Sequence, residues 1–317
     1  MKFVIVCNRQ FWGGTIVAHY LCKLLEESGY KTRIFRVTGS GHVSINNSRG
    51  LFFLYCFYKE LLDLLGNLKT HLFPNSPFGM RHYSGYIHLP VKGTKRLYFP
   101  YVNDDTVVIY MDVTRGNPLH AKNVVRWMCY YNRWPNDDTW YSRDDLFFTY
   151  REQFNDYKLN PNCNILKIFN FDNDLYKRTN FGPRHGNCYI VRKGSGRKDL
   201  PSHFDGPVID NLREPDKVKV LNQCERCYIY DTQTFYTAIA ALCGCIPIVV
   251  LEPGKTKEDY VKSDDEVYGV AYGDSPDEIE FAVRTRAEVQ RQIDKMLAEN
   301  SPMVDSFIEK CKDYFKL

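Results

Sequence analysis

The sequence predicts an α/β protein with two doubly wound, Rossmann-like domains and a set of C-terminal helices. The chain has 317 residues, which is more than the about 100–200 residues usual for one domain. Apolar runs typical of buried strands alternate with segments of helical periodicity, both before and after residues 170–186. That middle segment is polar, contains Pro183 and two glycines, and has no sustained period. We therefore predict a linker at 171–186 between two domains.

In the first half, strands are predicted at residues 3–7, 32–37, 106–112, 146–150 and 165–169. Helices are predicted at 15–30, where Gly29 marks the end, and at 119–131, where Pro118 lies near the start. Gly13 and Gly14 lie between the first strand and its helix. Together these elements form a predicted N-terminal domain at 1–170.

In the second half, strands are predicted at residues 188–193, 227–230 and 246–251, and helices at 216–224 and 232–242. The chain is helical by pattern from Pro276 onward, and Pro302 is expected to divide a long helix from a terminal one. We assign 187–300 to the C-terminal domain and 301–317 to a terminal helix, with a return to the N-terminal domain as one option.

Composition limits the class of protein. The hydrophobic fraction is 44% and the charged fraction 25%, as in ordinary globular proteins, and the net charge is only +4. The sequence has no block of Lys and Arg typical of a nucleic-acid-binding arm, so no nucleic acid partner is expected. The first apolar run, Phe3–Cys7, is too short for a signal peptide, and we expect the 11 cysteines to be reduced thiols in the cytoplasm.

The most apolar segment, Leu51–Tyr58, is followed at once by Lys59 and Glu60. These charges interrupt the segment well before it reaches the about 20 apolar residues that are needed to cross a bilayer. It therefore predicts a buried or interfacial helix and no transmembrane segment, which leaves peripheral membrane contact open.

Two segments of the second half have the residue types of a phosphate site. Asp231 or Thr232 is a natural N-cap for the helix at 232–242, and a helix start attracts phosphate. The end of the strand predicted at 188–193 and the residues after it contain four cations and two glycines, and Arg binds two phosphate oxygens at once. These residues are Arg192, Lys193, Gly194, Gly196, Arg197 and Lys198. The alternatives are a simple helix cap and a solvated basic hairpin.

The continuation Ala-Leu-Cys-Gly-Cys-Ile-Pro at 241–247 resembles glycosyltransferases of the GT-B fold, in which a nucleotide-binding helix ends in such a turn before the next strand. The basic segment at 192–198 is similar to the one that opens their C-terminal domain. Four further blocks resemble a group of uncharacterised bacterial glycosyltransferases. They are Gly-Asn-Pro-Leu at 116–119, Val-Val-Arg-Trp at 124–127, Tyr230–Tyr236 and Tyr268–Gly273.

The resemblance implies two domains facing a cleft, with a nucleotide-sugar donor on the C-terminal domain and a glycan or lipid-linked acceptor on the N-terminal one. The implied activity is metal-independent sugar transfer in polysaccharide biosynthesis, with no cofactor besides the donor substrate. The implied donor residues are Arg192, Lys193, Gly194, Arg197, Lys198, Tyr230, Asp231, Thr232, Thr234, Phe235 and Tyr236. The implied residues on the acceptor or sugar side are Gly13, Gly14, Gly116 and Asn117.

The sequence leaves the stereochemistry open. Many retaining GT-B enzymes carry two glutamates, whose positions correspond here to Asp231 and Ile239, so only one acid is present. An inverting enzyme needs a general base. Asp112 is the candidate, because it ends a predicted parallel strand, and a turn-forming role for it is equally compatible with the sequence.

Two metal hypotheses and two other functions are also compatible with the sequence. Cys224, Cys227, Cys243 and Cys245 have a spacing that suits zinc, although small buried thiols explain them better. Asp172 and Asp174 form an Asp-x-Asp pattern like the metal motif of GT-A transferases. A non-catalytic nucleotide- or phosphosugar-binding protein would need the same phosphate site, and a periplasmic-type binding module is disfavoured because no export signal is found.

Overall fold

The computed structural model describes residues 1–9, 13–37, 49–72, 94–95, 97, 101–132, 137, 140–232, 234–261 and 267–317. The chain forms two units. The first unit contains Met1–Asn170 together with Ala298–Leu317, and the second unit contains Phe171–Leu297.

The described strands are β1 Lys2–Asn8, β2 Thr32–Val37, β3 Thr106–Met111, β4 Asn123–Met128, β5 Leu146–Thr149, β6 Asn187–Ile190, β7 Arg226–Ile229, β8 Ile246–Val249 and β9 Ala271–Tyr272. The described α-helices are α1 Gly13–Glu27, α2 Arg49–Leu72, α3 Glu214–Gln223, α4 Tyr236–Leu242, α5 Pro276–Arg284, α6 Arg286–Ala298 and α7 Asn300–Phe315. None of the described helices is long and apolar enough to cross a bilayer.

The first unit is built on a parallel sheet with the strand order β2-β1-β3-β4-β5. Successive side chains of a strand point to opposite faces, so β1 contributes to two cores. Ile5 packs with Leu21 of α1 and Phe307 of α7 on one face. Val6 packs with Phe52 of α2 on the other. Helices therefore cover both faces, as expected for a doubly wound sheet.

The helix predicted at 119–131 is wrong, because residues 123–128 form β4 and every residue of this strand is buried. A parallel strand covered on both faces forms a continuous apolar run, which periodicity alone does not distinguish from a buried helix. The strand predicted at 165–169 is reduced to a single bridge between Ile165 and Thr149. Beyond it, the carbonyls of Leu166 and Ile168 accept hydrogen bonds from Trp127 and Tyr150 side chains instead of a neighbouring strand.

The second unit is built on a parallel sheet with the strand order β6-β7-β8-β9. Residues 207–209 follow β6 in sequence and lie on its outer side, where Tyr189 bridges Val208 in parallel. After β6 the chain first passes along one side of this strand and then crosses to its other side, where it forms β7. This reversal places a topological switch point between β6 and β7.

Three boundaries in the second half differ from the prediction. The helix predicted at 232–242 begins only at Tyr236, where the N-cap residue Phe235 makes no side-chain cap and Oγ1 of Thr234 accepts from the backbone N–H of Tyr236 at 3.3 Å. The C-terminal helical region is interrupted at Thr285 and Glu299, whereas Pro302 lies in the first turn of α7, where proline costs no hydrogen bond. The segment predicted as a linker hydrogen-bonds within the second unit, where Oδ1 of Asn222 accepts from the backbone N–H groups of Thr179 and Asn180. The side chain of Asn180 in turn donates to the Asn222 carbonyl.

Candidate functional site

The carboxyl ends of β6 and β7 are adjacent at the switch point of the second unit, which is where open α/β sheets bind ligands. Arg192 follows β6 after one residue, and Asp231 follows β7 after one residue. The Nε atom of Arg192 lies 3.9 Å from Oδ2 of Asp231. The structure therefore brings these two predicted donor residues together.

The backbone of Arg192 has a left-handed conformation, with φ of 40°, at the start of a 3-10 turn at Arg192–Gly196. This conformation is strained for a residue other than glycine and must be stabilised by its surroundings. The carboxylate of Asp210 accepts hydrogen bonds from the backbone N–H groups of Val191 at 3.2 Å and Arg192 at 2.8 Å. Asp210 thus fixes the direction in which the Arg192 side chain leaves the sheet.

The guanidinium of Arg192 has two further contacts with the segment before α4. Its NH1 atom donates to Oγ1 of Thr234 at 3.2 Å. Its Cζ atom lies 5.1 Å from the ring centroid of Tyr236, within the range of a cation–π interaction. The Arg192 side chain is 42% exposed, so the cation is oriented by three neighbours and still open to a ligand.

Asp231 is 3% exposed, and its Oδ2 atom has no hydrogen-bond donor among the described residues. A buried polar oxygen without a donor costs about 1–3 kcal/mol, and more when it is charged. Asp231 is therefore placed to accept a hydrogen bond from a hydroxyl group that enters the site.

The position of the Tyr236 ring is fixed by hydrogen bonds to its hydroxyl group. Its hydroxyl donates to Oε1 of Glu214 at 2.5 Å and accepts from Nζ of Lys217 at 2.8 Å. Tyr176 donates to the other oxygen of Glu214 at 2.9 Å. Burial raises the pKa of the Glu214 carboxyl, but the hydrogen bonds from Lys217, Tyr236 and Tyr176 outweigh it and lower the pKa. Burial and the Glu214 carboxylate raise the pKa of Tyr236, which stays protonated.

Three predicted donor residues have contacts typical of a structural role. Arg197 donates to the carbonyls of Val250 at 2.7 Å and Leu251 at 3.0 Å and pairs with Asp199. Tyr230 packs into an aromatic core and is 9% exposed. A Cβ atom on Gly194 would lie 2.5 Å from the Tyr230 carbonyl oxygen, so only glycine lets this turn pack on the end of β7.

The remaining predicted donor residues lie around this centre. Lys193 and Lys198 are exposed, and Thr232 is half-buried. Phe235 is 44% exposed, and its ring contacts that of Phe171 at a centroid distance of 5.8 Å. Because α4 begins after Phe235, Asp231 and Thr232 do not lie at a helix start as predicted.

In the first unit the switch point lies between β1 and β3. Asp112 follows β3 directly. Gly13 and Gly14 form the first turn of α1 rather than a loop, and a Cβ atom on Gly14 would lie 3.6 Å from Met111 and 3.9 Å from Cys129. The start of α1 thus contacts the ends of β3 and β4 beside Asp112.

The charge of Asp112 affects the pKa of two side chains, Cys129 and Tyr141. Burial, and then Asp112, raise the pKa of the Cys129 thiol well above its usual range. The same two causes raise the pKa of Tyr141 to about 12. The Tyr141 hydroxyl is buried and has no hydrogen-bond partner among the described residues. Cys129 and Tyr141 therefore stay protonated at neutral pH, and neither takes up a proton there.

The loop after Asp112 is held by its own side chains. The amide of Asn117 accepts from Tyr110 OH at 2.8 Å and from the backbone of Ala121 at 2.9 Å. Gly116, with φ of 63°, accepts from Arg126 NH2 at 2.7 Å through its carbonyl. Gly116 and Asn117, which were predicted on the acceptor side, thus stabilise the loop that follows Asp112.

Arg126 of β4 stabilises this loop and also forms a buried ion pair. Its Nε atom donates to Asp145 at 2.7 Å, and the two side chains are 1% and 5% exposed. Arg126 is not among the residues predicted for the site, although a single charge inside an apolar run is a usable signal. Asp210, Glu214, Lys217 and Tyr141 were not predicted either, because the sequence offers no local signal for them.

The residues of the two metal hypotheses have contacts typical of structural roles. Burial and the neighbouring thiol of Cys245 raise the pKa of Cys243, as for a buried thiol. Asp172 accepts from the backbone N–H groups of Asp174 and Leu175, both at 3.0 Å, and so caps a turn. Within the part of the chain that is described, no group of three or more His, Cys, Asp or Glu side chains is arranged to hold a metal ion.

No protein-family model and no curated protein matches the sequence. Solved structures show a weak similarity over almost the whole chain. The glycotransferase of kitacinnamycin is 9% identical with a TM-score of 0.41 and 98% of each chain covered. Glycosyltransferase SnogD from Streptomyces nogalater is 12% identical with a TM-score of 0.39, covering 98% of this chain and 99% of its own.

The spinosyn forosaminyltransferase SpnP is 11% identical with a TM-score of 0.37 and 100% of each chain covered. Scores this low do not establish a common fold or activity. They also lend no support to the grouping with uncharacterised bacterial enzymes.

Proposed function

We propose that the protein is a glycosyltransferase of the GT-B type, which moves a sugar from a nucleotide donor on the second unit to a hydroxyl of an acceptor on the first. The observation that carries this proposal is the pair at the second switch point. A cation fixed by Asp210, Thr234 and Tyr236 lies next to a buried carboxylate whose Oδ2 lacks a donor among the described residues. A nucleotide sugar offers both partners, since its diphosphate is anionic and its sugar carries hydroxyls.

In this proposal Arg192 and Lys193 bind the donor diphosphate and stabilise the charge that develops as it leaves. A guanidinium binds two phosphate oxygens at once, and donors fixed before the reaction stabilise developing charge without reorganising. Asp231 accepts a hydrogen bond from a hydroxyl of the donor and so orients the sugar. We expect this transfer to need no metal ion.

Asp112 is the proposed general base for the acceptor hydroxyl. The nearby Cys129 and Tyr141 stay protonated because burial and the Asp112 charge raise the pKa of each. Asp112 is therefore the group of this set that is proposed to act as the base. A base in this position would give an inverting transfer, and the protonated Tyr141 hydroxyl is available to donate to the acceptor.

We place the reaction in the cytoplasm, on the basis that all eleven cysteines are free. The acceptor would be a glycan or a lipid-linked sugar, as in polysaccharide biosynthesis.

The first experiment identifies the donor. UDP-, GDP-, dTDP- and CMP-linked sugars are added to the protein, and the one that binds raises the melting temperature, because a ligand of the native state stabilises it. Release of the free nucleotide with candidate acceptors, a nucleoside diphosphate from the first three donors or CMP from the last, then measures turnover with and without a chelator. Binding of a donor without any release would favour a non-catalytic nucleotide-binding protein. Activity lost in chelator would favour a metal-dependent transferase.

Two variants test the roles. Lys193→Ala should lower turnover while the fold survives, and Lys219→Ala, an exposed lysine in the same unit, serves as the matched control. Asp112→Asn should keep donor affinity and lose transfer. Undiminished turnover of the Lys193 variant would remove it from the phosphate site, and undiminished transfer by the Asp112 variant would remove the base.

A further inference from the structure

Three aromatic rings meet beyond the carboxyl ends of β4 and β5 in the first unit. Tyr130 and Tyr131 follow β4, and Phe154 ends a 3-10 turn after β5. The ring centroids of the two tyrosines are 5.1 Å apart, and they lie 5.4 Å and 4.9 Å from the centroid of Phe154. The planes of the two tyrosine rings are 80° apart, and those of Tyr131 and Phe154 are 78° apart, so the rings pack edge to face. We call this cluster of three rings the tyrosine platform.

The tyrosine platform is exposed, although aromatic rings of this size are usually covered. Tyr130 is 48% exposed and Tyr131 is 49% exposed. Because a ring of this kind buries about 150–250 Å² when fully covered, the two tyrosines present roughly 200 Å². A stable protein interface takes about 800 Å² from each partner. The area therefore suits a small ligand of one or two rings better than a second protein.

Hydrogen-bonding groups border the platform. The side chain of Asn132 donates to Oδ2 of Asp156 at 2.8 Å, and Oδ1 of Asp156 accepts from the backbone of Lys158 at 3.0 Å. A flat ring face next to a carboxylate and an amide matches a pyranose ring. Such a sugar has a face of C–H groups that packs on an aromatic ring and hydroxyls at its edge that bond to polar side chains.

The platform is also close to the proposed base. Strands β3 and β4 are adjacent and parallel, and Met111 lies opposite Trp127. Asp112 follows β3 and Tyr130 follows β4 after one residue, so both leave the same edge of the sheet. Burial and the charge of Asp112 raise the pKa of Cys129, the residue before Tyr130, which agrees with this placement.

We propose that Tyr130 and Tyr131 form a stacking subsite for a pyranose ring, so that the acceptor is a carbohydrate held next to Asp112. The role of the bound sugar as the acceptor rests on the proposed function. The binding of the sugar does not, because it is measured without a donor. Phe154 supports the two tyrosines from behind, and Asp156 and Asn132 bind hydroxyls of the ring.

The test uses saturation-transfer NMR on the full chain. The probes are methyl glycosides of glucose, galactose, mannose and N-acetylglucosamine. At least one should receive saturation at its C–H protons. Tyr131→Ala and Tyr130→Ala should each weaken its binding by about 2- to 12-fold, the range expected for losing one aromatic contact. Tyr131→Phe, which keeps the ring, should bind nearly as the wild type.

Tyr314→Ala is the matched control, because Tyr314 is also 49% exposed in the first unit but lies on α7. It should bind the glycosides as the wild type does. If no glycoside receives saturation, or if both alanine variants bind as tightly as the wild type, the subsite is refuted. It is also refuted if sedimentation shows a wild-type oligomer that Tyr131→Ala dissociates, because the platform would then bind a second copy.

The two proposals fail separately. A nucleotide sugar that binds and is turned over, with no glycoside at the platform, would remove the subsite and leave the transferase. Glycosides at the platform with no nucleotide sugar bound in the donor panel would leave a carbohydrate-binding site and remove the transferase.

Discussion

Neutralising Asp231 by Asp231→Asn tests the centre of the donor site. The carboxylate is 3% exposed, and its pairing with Arg192, at 3.9 Å, involves a cation whose side chain is 42% exposed. An ion pair with such an exposed partner contributes only about 0–1 kcal/mol. A hydrogen bond from a ligand hydroxyl to a charged group contributes about 1.5–3 kcal/mol. We therefore expect donor affinity to fall about 10- to 150-fold, with stability within about 1 kcal/mol of the wild type.

Calorimetric titration measures the affinity, and urea unfolding measures the stability. Titration with the nucleotide sugar and with the corresponding nucleoside diphosphate separates the two ends of the donor. If Asp231 binds the sugar, only the first affinity falls. Asp172→Asn, in a turn of the same unit, is the control and should bind both ligands as the wild type does. Unchanged affinity together with a stability loss of about 3–5 kcal/mol would show that Asp231 is a structural ion-pair partner.

Three further predictions concern the supports of the two sites. Arg126→Met leaves Asp145 buried without its cation and should cost about 3–5 kcal/mol in urea unfolding; a loss below 1 kcal/mol would contradict the loop-supporting role. Gly194→Ala places a Cβ 2.5 Å from the Tyr230 carbonyl and should cost about 1–3 kcal/mol. Gly196→Ala, whose Cβ would meet nothing within 4 Å, should be nearly neutral, and equal effects would refute the argument. The native contacts of Glu214 lower the pKa of its carboxyl below the usual 4.5. The ionised carboxylate therefore stabilises the fold above pH 4.5, and this stabilisation is lost as the pH falls through the native pKa. Unfolding at a series of pH values should therefore show a smaller loss on acidification for Glu214→Gln than for the wild type.

The switch-point residues could be predicted because they lie at the ends of strands that the sequence marks clearly. Arg192 follows the apolar run of β6, and Asp231 follows that of β7. Parallel strands end at one edge of a sheet, so residues far apart in sequence meet there. Asp210, which fixes Arg192, lies in an irregular segment, and its contact depends on the path of residues 207–209 beside β6. No local pattern encodes that path.

The errors have a physical cause in the surroundings of each segment. In β4 the Val-Val pair and Trp127 suit either a buried helix or a buried strand, and the strand forms because β3 and β5 pair with it on both sides. At α4 the sequence offers Asp231 and Thr232 as caps. In the structure Asp231 lies next to Arg192 instead, and the helix starts one turn later.

The position of α7 has a consequence for how the chain is made. Phe307 packs at centroid distances of 5.8 Å from Phe3 and 4.9 Å from Phe148, and the amide of Asn300 bonds to both backbone groups of Phe169. The first unit thus lacks part of its core until α7 has left the ribosome. The second unit, Phe171–Leu297, must be synthesised in between, which takes about 6–25 s at about 5–20 residues per second. During that interval the apolar face of β1 and α1 has no cover from α7.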